Sequence, residues 1–233
     1  FKIKYYYLME SNDITVVIVT FKSEGKIFSC INSIPSNVSI IVVENSNNTK
    51  FKQSIESKYK NVKCLLTGEN KGYASANNIG LQIVKTKYAL VLNPDATLNK
   101  DTLNNFLNFA EVNKDFSLIG PANNQQKKYQ FYNKHFLEVD YIRGFAIFLN
   151  LEKFNGNFFD ENYFLYWEEV DLCKKVKNEK GKIYVCENIL INHEGANSVK
   201  KENQFELEKN RNWHWMWSTF YYHKKHSGFL FAL

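Results

Sequence analysis

Apolar positions along this chain follow two rhythms. Ile14–Phe21 (ITVVIVTF), Val38–Val43 (VSIIVV), Val62–Thr67 and Tyr88–Leu92 (YALVL) are short β-branched or aliphatic runs with little polar interruption. Such runs predict strands buried on both faces. Between them, residues 24–34, 50–59 and Tyr73–Val84 carry the mixed polarity of helices. Leu98–Asn113 sets Leu103, Phe106, Leu107 and Ala110 on one helical face. Strand then helix, repeated over the first 115 residues, predicts an α/β fold with a mostly parallel sheet covered on both sides. The second half is less regular. Val139–Leu149 reads as a strand carrying Arg143-Gly144, and residues 158–167 are rich in aromatics. Glu168–Lys180 reads as a helix with acids first, lysines last and Gly181 as its stop, a charge order that suits the helix dipole. Lys182–Cys186 follows as a strand, His193–Ser198 as a loop and residues 202–226 as a long helix.

In open parallel sheets, ligands collect at the carboxyl ends of the strands. That rule places Thr20, Glu44-Asn45 and Asn93-Pro94-Asp95 on one rim. Neither G-x-x-x-x-G-K-[ST] nor G-x-G-x-x-G occurs, so a P-loop and an ordinary dinucleotide fingerprint are excluded. A rim carrying single acids suits a nucleotide held by its base and ribose, with a metal neutralising its diphosphate.

Composition changes this picture little. Hydrophobic residues at 44% and aromatics at 16% supply a core, and 10 Gly with 3 Pro exclude collagenous or low-complexity chains. The net charge of +6 rests on 28 Lys and only 2 Arg, in a chain with 30 Asn. Arg, with its planar fork, is the usual reader of guanine and phosphate, so no nucleic-acid partner is expected. Cys30, Cys64, Cys173 and Cys186 form no CxxC pair and have no zinc spacing with histidine. They read as buried, reduced thiols. No run reaches the roughly 18 apolar residues of a spanning helix, and Phe1–Met9 is too short for a signal peptide. A cytoplasmic protein is the expectation.

The ordered motifs ITVVIVTF, IIVVENS, NKGYASANNIG, LVLNPDA, FDENYFLYWEEVDLC and HEGANS resemble glycosyltransferase family 2, with the nearest look that of bacterial rhamnosyltransferase-like enzymes. The resemblance runs from about Asp13 to Ser198. It implies a GT-A type fold over 13–198, with a nucleotide-sugar-binding half at 13–115 and an acceptor and catalytic half at 116–198. Residues 199–233 would form a helical extension. It also implies inverting transfer of a hexose-type sugar from a nucleoside-diphosphate sugar, dTDP-rhamnose or a UDP-sugar, to a glycan or lipid-linked saccharide in surface polysaccharide synthesis.

The same resemblance distributes roles. Asn93-Pro94-Asp95 stands in the place of a DxD-type motif, with Asp95 and His193 as ligands of a magnesium or manganese ion bound together with the donor. Gly195 and Ser198 would lie beside the diphosphate. Glu169 takes the second place of an acidic pair and becomes the general base, one methylene longer than the usual aspartate, with Glu168 and Asp171 beside it. Thr20, Glu44, Asn45, Lys71, Asn77 and Asn93 would line the donor site. Arg143, Gly144 and Trp167 would meet the acceptor. Each has a bland alternative: Pro94-Asp95 as a turn and helix cap, the acids as dipole partners, Arg143 in a structural ion pair. A non-catalytic carbohydrate-binding relative, supported by the departures at Glu44, Asn93 and Glu169, stays open. A nucleotidyltransferase does not, because Thr20–Glu24 is not glycine-rich.

The last helix adds a separate signal. Trp213, Met216, Trp217 and Phe220 fall on one stripe, followed by Lys224-Lys225. Aromatics with lysines suit the surface of an anionic membrane. Equally, the stripe could pack on the catalytic domain or in a homodimer.

Overall fold

The computed structural model describes residues 13–124, 127–132, 134–193 and 204–232. Gly195, Ser198 and the junction at 198/199 lie outside them. The first half runs β1 (Ile14–Thr20), α1 (Glu24–Asn32), β2 (Ser39–Glu44), α2 (Thr49–Lys58), β3 (Val62–Leu66), α3 (Gly72–Gln82), β4 (Tyr88–Leu92), β5 (Ala96–Leu98) and α4 (Thr102–Val112). The second half adds β6 (Phe116–Pro121), β7 (Asn123–Asn124), β8 (Lys127–Lys128), β9 (Phe136–Glu138), β10 (Ala146–Asn150) and α5 (Glu168–Asn178). It continues with β11 (Lys182–Cys186), β12 (Ile191–His193), α6 (Gln204–Ser227) and α7 (Phe229–Ala232).

Eight strands form one sheet in the order β3-β2-β1-β4-β10-β6-β11-β9. β10 and β9 run against the other six. The α/β architecture expected from the sequence is therefore present, and strands from both halves share the sheet. Successive residues of β1 feed opposite faces. Val16 and Ile18 join a core with Ile27 of α1, Ile55 of α2 and Phe106 of α4. Val17 joins one with Ala76 of α3 and Leu172 and Val176 of α5. At ~1.5–3 kcal/mol per buried aliphatic side chain, these two layers dominate the fold's stability.

Three expectations need correction. β6 occupies residues where no strand is expected. The strand expected over Val139–Leu149 begins only at Ala146, so Arg143-Gly144 precedes it. The helix expected from Leu98 begins at Thr102, because Leu98 belongs to β5.

Candidate active site

The parallel strands send their carboxyl ends to one rim, bringing Thr20, Glu44 and Asn93 together there. β10 enters the sheet antiparallel to β4, with Ala146 opposite Leu92. The Phe145 carbonyl then accepts from the Asn93 amide at 2.8 Å. Arg143 and Gly144, which precede β10, are thereby delivered to the same rim. α5 descends before the parallel strand β11, so its first turn, with Glu168 and Glu169, also opens at this rim.

Asp95 and His193 meet through a short ladder. β12 pairs antiparallel with β5, His193 opposite Ala96. The His193 Nε2 lies 3.2 Å from an Asp95 carboxylate oxygen. Burial would raise the Asp95 pKa, but the hydrogen bond and charge of His193 hold it below the usual carboxylate value. The Phe145 ring stacks on His193 at 4.6 Å, which fixes the imidazole plane. Two ligands at right angles on an ion with ~2.1 Å bonds stand about 3 Å apart, so the pair fits adjacent positions on a small divalent cation. The buried Asn93 Oδ1 close by has no hydrogen-bond partner. Among the described residues no cluster of three or more His, Cys, Asp or Glu forms a cage. Such an ion would need phosphate oxygens to complete its shell.

The donor-side residues are held firmly, but not all face outward. Glu44 accepts from the Ser46 amide at 3.0 Å, from the Ser46 hydroxyl and from the Asn48 amide. Its carboxylate organises the loop after β2. Asn45 donates to Asn70 Oδ1 and to the Gly72 carbonyl, and accepts from the Lys71 amide at 3.0 Å, tying the β3–α3 loop to the rim. The Lys71 ammonium pairs with Glu69. Thr20 and Asn77 are buried, and each keeps one oxygen without a partner. The Asn77 amide nitrogen is spent on the Tyr73 carbonyl.

The acidic pair is the most unusual feature. Glu168 is buried, one of its oxygens without a partner, and its pKa stands well above the usual value because of desolvation and the neighbouring Glu169. Glu169 is also raised by burial, tempered by its hydrogen bonds and by the Arg143 charge. Its Oε1 accepts from the Tyr141 hydroxyl at 3.1 Å. A Cβ on Gly144 would stand 3.4 Å from the Glu169 side chain, so the glycine leaves room beside that carboxyl. Tyr73 bridges the halves, its hydroxyl donating to the Gly144 carbonyl at 2.7 Å. No spacing in the sequence signals a role for Tyr141 or Tyr73.

Asp171 is set apart from the pair. Its carboxylate accepts from Tyr163 at 3.2 Å and meets Lys225 and His226 of α6 at 2.8 and 2.7 Å. Trp167 adopts φ 70° before Glu168 and packs on Tyr222. The stripe expected on α6, Trp213, Met216, Trp217 and Phe220, lies on its outer side, and a different set of residues faces the domain. His214, Ser218, Tyr221, Tyr222 and Lys225 face the domain, whereas Trp213, Met216 and Trp217 are 65%, 62% and 48% exposed. Among the described residues no helix is long and apolar enough to cross a membrane.

Comparison with known proteins agrees with the fold. A model of the family "Glycosyl transferase family 2" matches residues 15–177. The chain is similar to a low-salt glycan biosynthesis hexosyltransferase, Agl10, of Haloferax volcanii, 21% identical over 224 residues and covering 84% of this chain and 72% of that one. Of solved structures, S. aureus TarS 1-349 superposes with TM-score 0.61 at 21% identity over 76% of this chain and 58% of its own, and the same piece is also known with UDP-GlcNAc. PcManGT, a mannosyltransferase from Pyrobaculum calidifontis solved with GDP-Man and Mn2+, gives 0.67 at 15% identity over 91% and 64%. The chain thus spans under two thirds of those two solved chains. At these identities the likeness is one of fold, the GT-A fold.

Proposed function

This chain belongs to glycosyl transferase family 2, and from that premise we propose that it moves a sugar from a nucleoside-diphosphate sugar to a hydroxyl of a glycan or lipid-linked saccharide by inverting displacement. The observation that supports this best is the carboxyl pair at the head of α5. Glu168 is buried, and beside it the half-buried Glu169, its pKa also raised, accepts a hydrogen bond from a phenol.

In this reading Glu169 takes the proton of the acceptor hydroxyl as that oxygen bonds to the anomeric carbon. The carbon–oxygen bond to the diphosphate breaks on the opposite face, and the leaving group keeps the electron pair. A carboxyl with a raised pKa is a stronger base once ionised, and direct proton transfer needs it within ~2.6–3.2 Å of the hydroxyl. Tyr141 orients it. Glu168, whose pKa is raised by burial and by the Glu169 charge, stays protonated beside it, since neighbouring carboxyls resist ionising together. Asp95 and His193 would hold magnesium or manganese, whose chemistry there is to neutralise the departing diphosphate. The unpartnered oxygens of Thr20, Asn77 and Asn93 would take up donor hydroxyls or amides, with Glu44, Asn45 and Lys71 shaping the loops around them. Arg143, Gly144 and Trp167 would border the acceptor.

The outer face of α6 fits a lipid-linked acceptor. Trp213, Met216 and Trp217, with Phe229, Leu230 and Phe231 of α7, are exposed beside Lys209 and Lys224. An anionic membrane surface matches both the aromatic and the cationic character, and would place the enzyme on the inner face of a cell membrane.

The donor is identified by thermal stabilisation with UDP-, GDP- and dTDP-sugars, with and without manganese. The expected result is stabilisation by one nucleotide class, strengthened by the metal, with turnover lost in excess EDTA. Full turnover in EDTA would remove the metal from this scheme, and stabilisation by none of them would favour a carbohydrate-binding relative.

A further inference from the structure

The segment that carries the base is under conformational strain. Tyr166 and Trp167 both have φ of 70°, in the left-handed region, and neither is glycine. Two such residues in succession persist only where the surroundings leave no alternative. On the inner side the restraint is a backbone bond, the Tyr73 amide donating to the Phe164 carbonyl at 2.7 Å. On the outer side it is α6.

α6 grips this segment before, at and after the strained pair. Tyr221 and Lys225 bond Asp160 at 3.0 and 2.7 Å. His214 stacks on Phe164 at 4.4 Å, and Ser218 donates to the Leu165 carbonyl at 2.9 Å. Tyr222 packs on Trp167 at 4.7 Å. Lys225 and His226 then close on Asp171, whose side chain is only 3% exposed. Asp171 lies in the first turn of α5, its amide donating to the Trp167 carbonyl. It stands two residues beyond Glu169.

We infer that Lys225 and His226 are positioning residues for the transfer reaction: acting through Asp171, they fix the first turn of α5 and so the direction in which Glu169 points. This rests on the reading of Glu169 as the base. It gives the buried Asp171 a role that requires no contact with substrate. It also makes the last turn of α6 part of the catalytic apparatus, although more than fifty residues of sequence separate it from α5.

The expected signature is a split between turnover and donor binding. A misplacement of about 1 Å in a reacting group can cost on the order of 10²-fold, whereas the donor side is built from β1, β2, β4 and α3, and the bonds of Lys225 and His226 go to Asp160 and Asp171. In the full chain, Lys225→Met should lower kcat by roughly 10–100-fold. Affinity for UDP, GDP or dTDP, whichever binds, should stay within about twofold. Lys225→Arg should regain most of the turnover, and Asn212→Ala, on the exposed side of α6, should match wild type. Hydrogen exchange should quicken in the first turn of α5 and stay unchanged in α4. Because Lys225→Met leaves a buried carboxylate, Lys225→Met/Asp171→Asn serves as the partner variant. It should melt closer to wild type and still turn over slowly. Wild-type kcat in the double variant would overturn the inference, as would unchanged exchange in α5.

The Glu169→Gln background separates the two readings. If α6 acts through the base, Lys225→Met adds almost nothing there, since coupled sites are not additive. A full additional loss overturns the positioning role. Undiminished turnover by Glu169→Gln itself overturns the base, whatever Lys225 does.

Discussion

At the residue scale, the two members of the acidic pair are not equivalent. Glu169→Gln is expected to lower turnover by roughly 10²–10⁴-fold with donor affinity little changed, as for the loss of a general base. Steady-state kinetics on both glutamine variants checks it; a dead Glu168→Gln beside an active Glu169→Gln would reverse the assignment. The pH profile carries a second expectation. Burial raises the Glu169 pKa, and turnover should fall as pH drops through that raised value. The Tyr141 hydroxyl stabilises the ionised form, so Tyr141→Phe should move the acid limb of kcat to higher pH. An unmoved limb would mean that Tyr141 does not act on the titrating group. The sequence singles out Glu169, Asp95 and His193 as candidates because each sits in a motif of the family it resembles. Tyr141, Tyr73, Lys225 and His226 were not legible. Their partners are 28, 71, 54 and 55 residues away in sequence, and no local pattern records such meetings. Glu44 shows the opposite case, where its place at the end of β2 was legible but its attachment to Ser46 and Asn48 was not.

At the element scale, β1, β2, β4, α3 and α5 could be read because they bury an unbroken run or a continuous stripe. β6 was hidden by its ending: Gly120-Pro121 reads as a loop signal, yet Gly120 packs under Ile142, leaving no room for a side chain. β5 and β12 are three residues each, too short to show a period, and only their pairing creates the Asp95–His193 contact. α3 offers a test of how closely the elements fit. Gly72 has φ 78°, and a Cβ there would stand 2.4 Å from the Phe164 carbonyl oxygen. Backbone cannot yield as a side-chain tip does. Gly72→Ala should therefore cost on the order of 2 kcal/mol or more, read from denaturant unfolding. It should also lower kcat, because Phe164 leads into the catalytic turn. Wild-type stability would show that the α3 start can shift freely.

At the scale of the whole molecule, α6 divides its work between two faces, which changes how membrane contact is tested. Ending the chain near residue 210 would remove the outer aromatics and the grip on Asp171 together. Substitution is cleaner: Trp213→Ser/Trp217→Ser should weaken co-sedimentation with vesicles rich in phosphatidylserine at low salt while the fold melts unchanged. Each exposed lysine near the surface adds about 1 kcal/mol to such binding, so Lys209→Ser/Lys224→Ser should weaken it further. Failure of the unaltered chain to bind, with a concentration-dependent dimer in solution, would assign the face to a second copy.

The place of β10 has a further consequence, for the order in which the chain is assembled. β4 finds its second neighbour only in β10, and the first residue of β10 follows the last of β4 by 146 − 92 = 54 positions. During synthesis at ~5–20 residues per second, the β4 edge would wait roughly 3–10 s for its partner. Through that interval a nascent chain presents a fully apolar strand with open backbone groups, the form most prone to pairing with a neighbouring chain. The same arrangement that carries Arg143 and Gly144 to the rim thus leaves the edge of β4 open while the chain is being made.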